Sequence, residues 1–307
     1  MMKISNTLKG YLFASIAIIA VANVYLFSKA ALNETTLAQF GSYWFAFGLL
    51  WNLLFVWQRK LLPQLMKFSR RQYITLFILG LLEIAGTGFF FLAINTVSNP
   101  AVVSFIGNIN PVLVTILGFL ILQERFNKPE LIGMLLAIIG AFIISYQPNT
   151  DLNSLFIDGA GYVLFSGIFF ATSTIIVKKN VKNIGSPILA FSRTFHLLVF
   201  SIAALLIMKD PLSISSEAFK NIIIGSLMGP FLTIVAGYQA LKYLEASRMS
   251  LLGSSKGVLV MGGAYLYFGT LPMNYQILGG LLSISGVLLI SMGRLMLSRR
   301  KKKAFNK

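Results

Sequence analysis

Several residue types that carry reaction chemistry are missing or scarce in this sequence. Cysteine is absent from all 307 residues, which excludes disulfides, thiolate metal sites and thiol nucleophiles. Histidine occurs once, as His196, and a lone histidine without nearby acids is not a metal site. No P-loop pattern is present, so direct ATP hydrolysis is not expected. We therefore predict neither an enzyme nor a bound metal or cofactor.

Charge is also scarce, because only 11% of the residues are Asp, Glu, Lys or Arg. Apolar residues make up 56% of the chain and the mean hydropathy is +0.79, more than a water-soluble domain of this length needs. About 20 apolar residues in a helix cross the roughly 30 Å hydrocarbon layer of a bilayer. We predict ten such spans, at residues 10–28, 37–57, 74–94, 101–122, 131–146, 158–177, 187–208, 221–241, 249–268 and 276–297.

These spans predict an all-α membrane protein that is surrounded by the lipid bilayer. Closed β-barrels also span membranes, but their strands are short and alternating, whereas these apolar runs are continuous. The first span follows Lys3 and Lys9 and resembles a secretory signal in its position. Lys29 stands where a cleavage site requires small uncharged residues, and nine spans follow, so we interpret the first span as retained.

The net charge of +17 raises the question of a nucleic-acid partner. The basic residues concentrate at both chain ends and in the loops after even-numbered spans, whereas the opposite side carries Lys29, Lys209 and Lys220 only. By the positive-inside rule, we predict that both termini are cytoplasmic, in the inner (plasma) membrane. The basic tail after Arg294 is expected to contact anionic lipid head groups, and no nucleic-acid partner is predicted.

The second five spans read as a diverged copy of the first five. At a shift of 146 residues, Ser104 meets Ser250 and Gly133 meets Gly279, and near the starts of the two copies the shift is about 150. We predict a first half at residues 1–147 and a second half at 148–307. Because each half holds an odd number of spans, the halves are inverted, which suits transport by alternating access. The alternative is that the repeat only records a gene duplication.

One part of the chain carries a family signature. The stretch from Ala93 through Pro111 to Glu124-Arg125, followed by Gly133 and Gly140, resembles the EamA-type half of the drug/metabolite transporter superfamily. That half-signature has a proline in the fourth helix, thirteen residues before an acidic residue, and Pro111 and Glu124 keep this spacing. The second half departs from the pattern at the corresponding positions.

The resemblance implies ten helices in two inverted five-helix halves. Helices one, three, four, six, eight and nine then surround a central cavity, while helices five and ten lie at the periphery. Members of the family move amino acids, nucleotide-related metabolites, vitamins and drugs. At the positions that match Pro111 and Glu124, the second half has Gly257 and Thr270, so the resemblance implies no acidic gate there.

Ionisable residues inside the spans are the strongest candidates for function, because a charge at the helix centre costs roughly 2.5–3.5 kcal/mol. Glu83 lies in span three, Arg193 and His196 in span seven, and Lys256 in span nine. At 1.5 Å per residue they lie about 9–14 Å from the cytoplasmic ends of their spans. Substrate and coupling-ion sites of repeat transporters lie in this layer near the midplane.

Each of these residues has a functional and a structural interpretation. The Lys256 ammonium would bind a substrate carboxylate or phosphate, or else form an ion pair with Glu83. Glu83 would carry a coupling proton or serve as a counter-ion. Arg193 matches an arginine that the family often has early in this helix, but we favour a side chain that snorkels to the cytoplasm. His196 is interpreted as a packing residue rather than a proton relay.

Polar and helix-breaking residues complete the predicted site. A proline in a helix frees the carbonyl one turn earlier, which a polar ligand can then use. The predicted lining residues are Asn23, Ser104, Asn108, Asn110 and Thr233, and the predicted helix breaks are Pro111 and Pro230. For Pro230 we favour a kink that only shapes packing.

Small residues recur at helix-face spacing in spans five and ten. Such residues let helices approach closely, either within one protomer or between two protomers. They are Gly133, Ala137, Gly140, Gly279, Ser283 and Gly286. Taken together, the sequence predicts a secondary transporter, monomeric or homodimeric, of a small polar metabolite such as an amino acid or another carboxylate. The alternatives are an importer of a vitamin or nucleotide-like metabolite and, less favoured, a membrane scaffold or receptor.

Overall fold

A computed structural model describes residues 6–65, 67–122, 127–146, 157–253 and 255–305. Over these residues the architecture is all-α, as predicted. The helices are α1 Asn6–Leu32, α2 Leu37–Gln58, α3 Leu62–Leu65, α4 Arg70–Thr96, α5 Pro100–Ile106, α6 Asn110–Leu122, α7 Lys128–Ser145, α8 Ala160–Ile184, α9 Ser186–Met208, α10 Ser216–Ser226, α11 Ile234–Tyr243, α12 Ala246–Gly253, α13 Lys256–Phe268 and α14 Asn274–Phe305. A 3₁₀ turn at Gly107–Ile109 joins α5 to α6, and a π-helical segment at Leu227–Thr233 joins α10 to α11.

Seven helical stretches of the described chain are long and apolar enough to cross a membrane. They are Asn6–Leu32, Leu37–Gln58, Arg70–Thr96, Pro100–Ile121, Ala160–Ile184, Ser186–Met208 and Ser216–Tyr243. The apolar stretches Leu131–Ile144 and Asn274–Ile290 are shorter, and the ninth predicted span is divided between α12 and α13. The prediction of a multi-pass helical membrane protein is therefore confirmed, while the count of ten spans stays a prediction.

Local sequence signals explain where several helices begin. Thr36 and Ser69 each form a capping box with the glutamine three residues later, at the starts of α2 and α4. Asn99 caps α5 through the backbone N–H of Ala101, with Pro100 in the first turn. These caps satisfy backbone donors that would otherwise be unpaired near the membrane surface.

The small residues of α7 and α14 pack against one another within the protomer. A Cβ on Gly133 would lie 2.4 Å from the backbone oxygen of Gly286, and one on Gly140 would lie 2.5 Å from that of Gly279. Ser283 Oγ lies 3.5 Å from the backbone oxygen of Ala137. We name this contact the glycine seam, and it joins the last helix of each predicted half.

The bundle has two ends, which we define by the loops they contain. The outer end holds the loops at residues 33–36 and 209–215, where Gln39 Nε2 donates to the backbone oxygen of Pro211 at 2.7 Å. The inner end holds the start of α1 and the end of α11, where the rings of Phe13 and Tyr243 stack 6.4 Å apart. At both ends, therefore, an element of the first half meets one of the second.

Two apolar clusters fill the bundle on either side of its middle. The outer cluster includes Phe40, Trp44, Phe91, Ile94 and Val97. The inner cluster includes Leu76, Leu79, Val181, Ile184 and Leu241. Close packing of such side chains holds the helices together inside the bilayer, where lipid tails are as apolar as the side chains. The space between the clusters holds the polar residues of the interior.

Two sequence features fall where the structure gives no description. The Glu124-Arg125 pair of the family signature lies outside the described residues. The boundary between the predicted halves, at residues 147 and 148, also lies outside them.

Candidate functional site

A cavity of about 310 Å³ lies between the outer and inner clusters. Its wall comes mainly from α1, α4, α6, α8, α11, α12 and the start of α13, with contributions from α2 and α9. None of the described residues of α7 or α14 reaches this wall. The arrangement matches the one that the family resemblance implied.

Glu83 and Arg193 form a buried ion pair on this wall. Arg193 Nε lies 2.6 Å from Glu83 Oε2, and the two residues are 7% and 4% exposed. The other carboxylate oxygen accepts from Ser173 Oγ at 2.5 Å and from Tyr238 OH at 3.3 Å. Arg193 Nη2 donates to Thr87 Oγ1 at 2.9 Å. This polar network joins α4, α8, α9 and α11 across the cavity.

The network corrects two interpretations of the sequence. Arg193 does not snorkel toward the inner end, because its guanidinium is committed to Glu83 and Thr87. Glu83 does not pair with Lys256, because Arg193 takes that place. The planar guanidinium has several fixed donors and can satisfy a carboxylate and a hydroxyl at once, which a lysine cannot do as well in a buried site.

Lys256 stands apart from this pair. It is the first residue of α13, and its ammonium lies on the cavity wall near the 3₁₀ turn of the fourth span. A Cβ built on Gly107 would lie 4.0 Å from Lys256 Nζ and 3.6 Å from Tyr25 OH. Within the described part of the chain, no carboxylate forms an ion pair with this ammonium.

The charges of the cavity wall therefore do not cancel. Among the described lining residues, the charged ones are Glu83, Arg193 and Lys256. Glu83 and Arg193 neutralise each other, which leaves the positive charge of Lys256. The cavity is suited to a ligand with one anionic group.

The structure brings most, but not all, of the predicted site residues to the cavity. The predicted residues on the wall are Glu83, Asn110, Pro111, Arg193, Pro230, Thr233 and Lys256. Asn110 Oδ1 is buried and has no hydrogen-bond partner within the described chain. Thr233 Oγ1 donates to the backbone oxygen of Met228 at 2.8 Å.

Four predicted residues lie away from the wall. Asn23 donates to a backbone oxygen one turn earlier in α1, at 2.9 Å. Ser104 and Asn108 are fully buried in packing contacts behind the wall. His196 packs against Gly80, and its Nδ1 lies 2.7 Å from the backbone oxygen of Ser192. The interpretation of His196 as a packing residue agrees with this geometry.

The π-helical segment is hydrogen-bonded by Asn52, a residue that the sequence analysis did not single out. Asn52 is fully buried in α2, and its Nδ2 donates to the backbone oxygens of Pro230 at 2.9 Å and Gly48 at 2.8 Å. Pro230 removes a backbone donor from its helix, and π-segments accompany such breaks at functional sites. The kink at Pro230 therefore shapes the cavity wall and is fixed from outside its own helix.

Several wall residues escaped the sequence interpretation. Ser173, Thr87 and Tyr238 complete the hydrogen bonding of the ion pair, and Tyr25 lies near Lys256. Polar side chains in the middle of apolar spans are the signal that would have pointed to Ser173 and Thr87. Tyr25 has no such signal, because tyrosines near span ends usually contact the membrane interface.

Apolar spanning helices around an internal charged cavity define a multi-pass membrane protein of the transporter class. The sequence profile described as "EamA-like transporter family" matches the chain twice, at residues 8–146 and 158–292. The chain therefore belongs to the EamA-like transporter family, which is part of the drug/metabolite transporter superfamily.

Known proteins support the same class. The chain is 28% identical over 237 residues to "Uncharacterized transporter YyaM" of Bacillus subtilis, covering 72% of this chain and 74% of that protein. It is 25% identical over 245 residues to "Uncharacterized transporter sll1164" of Synechocystis sp., covering 76% and 68%. A solved crystal structure matches the fold with a TM-score of 0.71 at 12% identity, over 94% of this chain and 98% of that chain.

Proposed function

We propose that the protein is a secondary transporter of a small polar metabolite with an anionic group, such as an amino acid or another carboxylate. The observation that carries the proposal is the ammonium of Lys256, which lies on the cavity wall without a carboxylate partner among the described residues. An ammonium taken out of bulk water needs a counter-charge or hydrogen-bond acceptors to offset the loss of its hydration. A substrate carboxylate or phosphate would supply that charge while it is bound.

The size of the cavity supports a small substrate. Ligand pockets in proteins span about 300–1,000 Å³. At about 310 Å³, this cavity lies at the lower end of that range. The other polar groups that we assign to substrate are the buried Oδ1 of Asn110 and the hydroxyl of Tyr25, on either side of the 3₁₀ turn.

We further propose that two inverted halves, residues 1–147 and 148–307, carry out transport by alternating access. The protein would lie in the plasma membrane with ten spans and with both termini in the cytoplasm. The two matches to the family profile and the meeting of the halves at the glycine seam support this arrangement. Exchange of the conformations of two inverted halves converts an inward-open form into an outward-open form. Glu83 remains a candidate for the coupling group, with its ion pair to Arg193 favouring a structural role.

A second candidate is an importer of a vitamin or nucleotide-like metabolite with the same fold. Aromatic side chains on the cavity wall favour it, because planar ring systems stack on them. Among them are Tyr25, Trp44, Phe90 and Phe91. The same positive charge would then bind a phosphate or carboxylate of that ligand.

Exchange in proteoliposomes tests the proposal. The protein is reconstituted in liposomes, and these are loaded in turn with amino acids, mono- and dicarboxylates, nucleotides and cationic amines. Counterflow of the labelled solute is then measured. We expect counterflow of at least one solute with an anionic group, and its loss by about a hundredfold in Lys256→Met. The matched control is Lys128→Met, since Lys128 is exposed at the start of α7. Counterflow of cationic amines alone, or wild-type exchange by Lys256→Met, would contradict the proposal.

A further inference from the structure

Lys29 is a buried lysine of α1 that caps the outer end of α4. Its side chain is 8% exposed, and its Nζ donates to the backbone oxygens of Ile94 at 3.0 Å and Asn95 at 3.1 Å. Both oxygens belong to the last turn of α4, where backbone carbonyls have no helical partner. An ammonium is the side-chain group best suited to the negative end of a helix. Lys29 thus ties α1 to the outer end of α4.

Lys178 makes the same contact at the opposite end of the bundle. Its Nζ donates to the backbone oxygens of Leu241 at 2.7 Å and Leu244 at 2.5 Å. These oxygens lie in the last turn and cap of α11. Lys178 thus ties α8 to the inner end of α11.

The two lysines occupy corresponding positions in the two halves. Lys178 follows Lys29 by about 150 residues, and the accepting residues Leu241 and Leu244 follow Ile94 and Asn95 by nearly the same interval. Each lysine lies in the first helix of its half, and each binds the end of the third. The pair obeys the inverted symmetry that the sequence repeat predicts.

Each lysine also connects two groups of helices, one packed around α1 and the other around α8. Helix α1 of the first half packs mainly on α10, α11 and α13 of the second half. Helix α8 of the second half packs mainly on α4 and α6 of the first half. Lys29 therefore joins the α1 group to the α8 group at the outer end, and Lys178 joins the same two groups at the inner end.

Both contacts lie one helical turn beyond the cavity wall. Tyr25 and Thr174 line the cavity, and each precedes its lysine by four residues on the same helix face. At the outer end Tyr25 also packs edge to face on Phe90, with ring centroids 5.0 Å apart. Separating the two groups of helices at either end would break the lysine contact there first.

We propose that Lys29 and Lys178 are the two gate residues of the transport cycle, each holding one end of the cavity shut. The proposal rests on alternating access as proposed above. Opening the outer end requires the Lys29 ammonium to leave the end of α4 while Lys178 stays bound. Opening the inner end requires the reverse.

The absence of cysteine makes a direct test possible, because a single introduced cysteine is the only thiol. Thr174→Cys places it on the cavity wall, where the Thr174 hydroxyl bonds only within its own helix, to the backbone oxygen of Phe170 at 2.7 Å. A membrane-impermeant maleimide is added to intact cells, which exposes the outer end under the predicted orientation, or to inside-out vesicles, which exposes the inner end. The readout is the labelling rate from each side, with no substrate needed.

Lys29→Met in this background is expected to raise labelling from the outside and lower it from the inside, and Lys178→Met to do the opposite, each by about tenfold. Lys29→Arg and Lys178→Arg, which keep a cationic donor, should label as the parent does. The matched controls are Lys220→Met at the outer end and Lys179→Met in α8, both exposed lysines. A variant that fails to fold is detected by size-exclusion chromatography, and Lys29→Gln or Lys178→Gln, which also removes the ammonium, then takes its place.

Opposite shifts of the two methionine variants support the paired gates. Equal shifts from both sides, or rates like those of the exposed controls, would overturn them and leave the lysines as structural caps. Opposite shifts with the two sides exchanged would support the gates and contradict only the predicted orientation. Failure of all solutes in the counterflow assay contradicts the proposed function and leaves this labelling result unaffected.

Discussion

Removing both members of the Glu83–Arg193 pair should destabilise the protein by less than the two single losses added together. In Arg193→Met the Glu83 carboxylate stays at 4% exposure without its cation, and in Glu83→Gln the guanidinium loses its anion. Breaking one side of a buried ion pair costs about 3–5 kcal/mol, because the other charge is left uncompensated. The double variant removes both charges, so it should be more stable than the sum of the single losses by about 2 kcal/mol.

The measurement is thermal unfolding of the detergent-purified protein, followed by the loss of the monodisperse peak in size-exclusion chromatography. The four proteins of the cycle are wild type, Arg193→Met, Glu83→Gln and the double variant. Lys256→Met serves as a control for the loss of a wall cation, since no carboxylate of the described chain depends on it. Its midpoint temperature should stay at or above that of wild type.

The result that refutes this reasoning is additivity. If the double variant lost as much stability as the two single variants together, the two side chains would not be coupled. The distance of 2.6 Å between Arg193 Nε and Glu83 Oε2 would then carry no energetic weight. We would then have to abandon the inference that Glu83 and Arg193 neutralise each other, and with it the inference that Lys256 gives the cavity an excess positive charge.

Two further predictions concern the glycine seam and coupling. Gly140→Leu should lower the midpoint of thermal unfolding by several degrees, because its Cβ would lie 2.5 Å from the backbone oxygen of Gly279. The control is Gly262→Leu, since a Cβ on Gly262 would have nothing within 4 Å. Equal midpoints for the two variants would show that the glycine seam tolerates side chains. Glu83→Gln should leave the pH dependence of counterflow unchanged, because Arg193 holds the carboxylate in a structural ion pair. A displaced pH profile would instead assign coupling to Glu83.

Much of the fold was predictable because it depends on patterns along one helix. Apolar runs identify spans by length alone, and helix-face spacing of small residues identified the glycine seam. The sequence left open whether that seam joins two helices of one protomer or of two. Three of the ionisable residues that the sequence singled out, Glu83, Arg193 and Lys256, line the cavity, whereas His196 does not.

The pairing of those charges was not predictable. Which cation reaches Glu83 depends on how α4, α9 and α13 rotate and tilt, and no pattern within a single helix fixes these angles. For the same reason Asn23 and Asn108, polar and within spans, turned out to face away from the cavity. Lys29 was treated as a charge near the membrane surface, because a contact between α1 and the end of α4 leaves no trace in local sequence.

The glycine seam also limits how the molecule can move. Where backbone lies directly on backbone, no flexible side chain can absorb sliding. The neighbouring side chains of Leu136 and Ile290 already lie 3.0 Å or less from where a Cβ on Gly286 or Gly133 would be. The last helices of the two halves are thereby fixed in register and can only pivot about their shared axis. In the alternating access proposed above, the other helices would therefore rearrange around this fixed backbone contact.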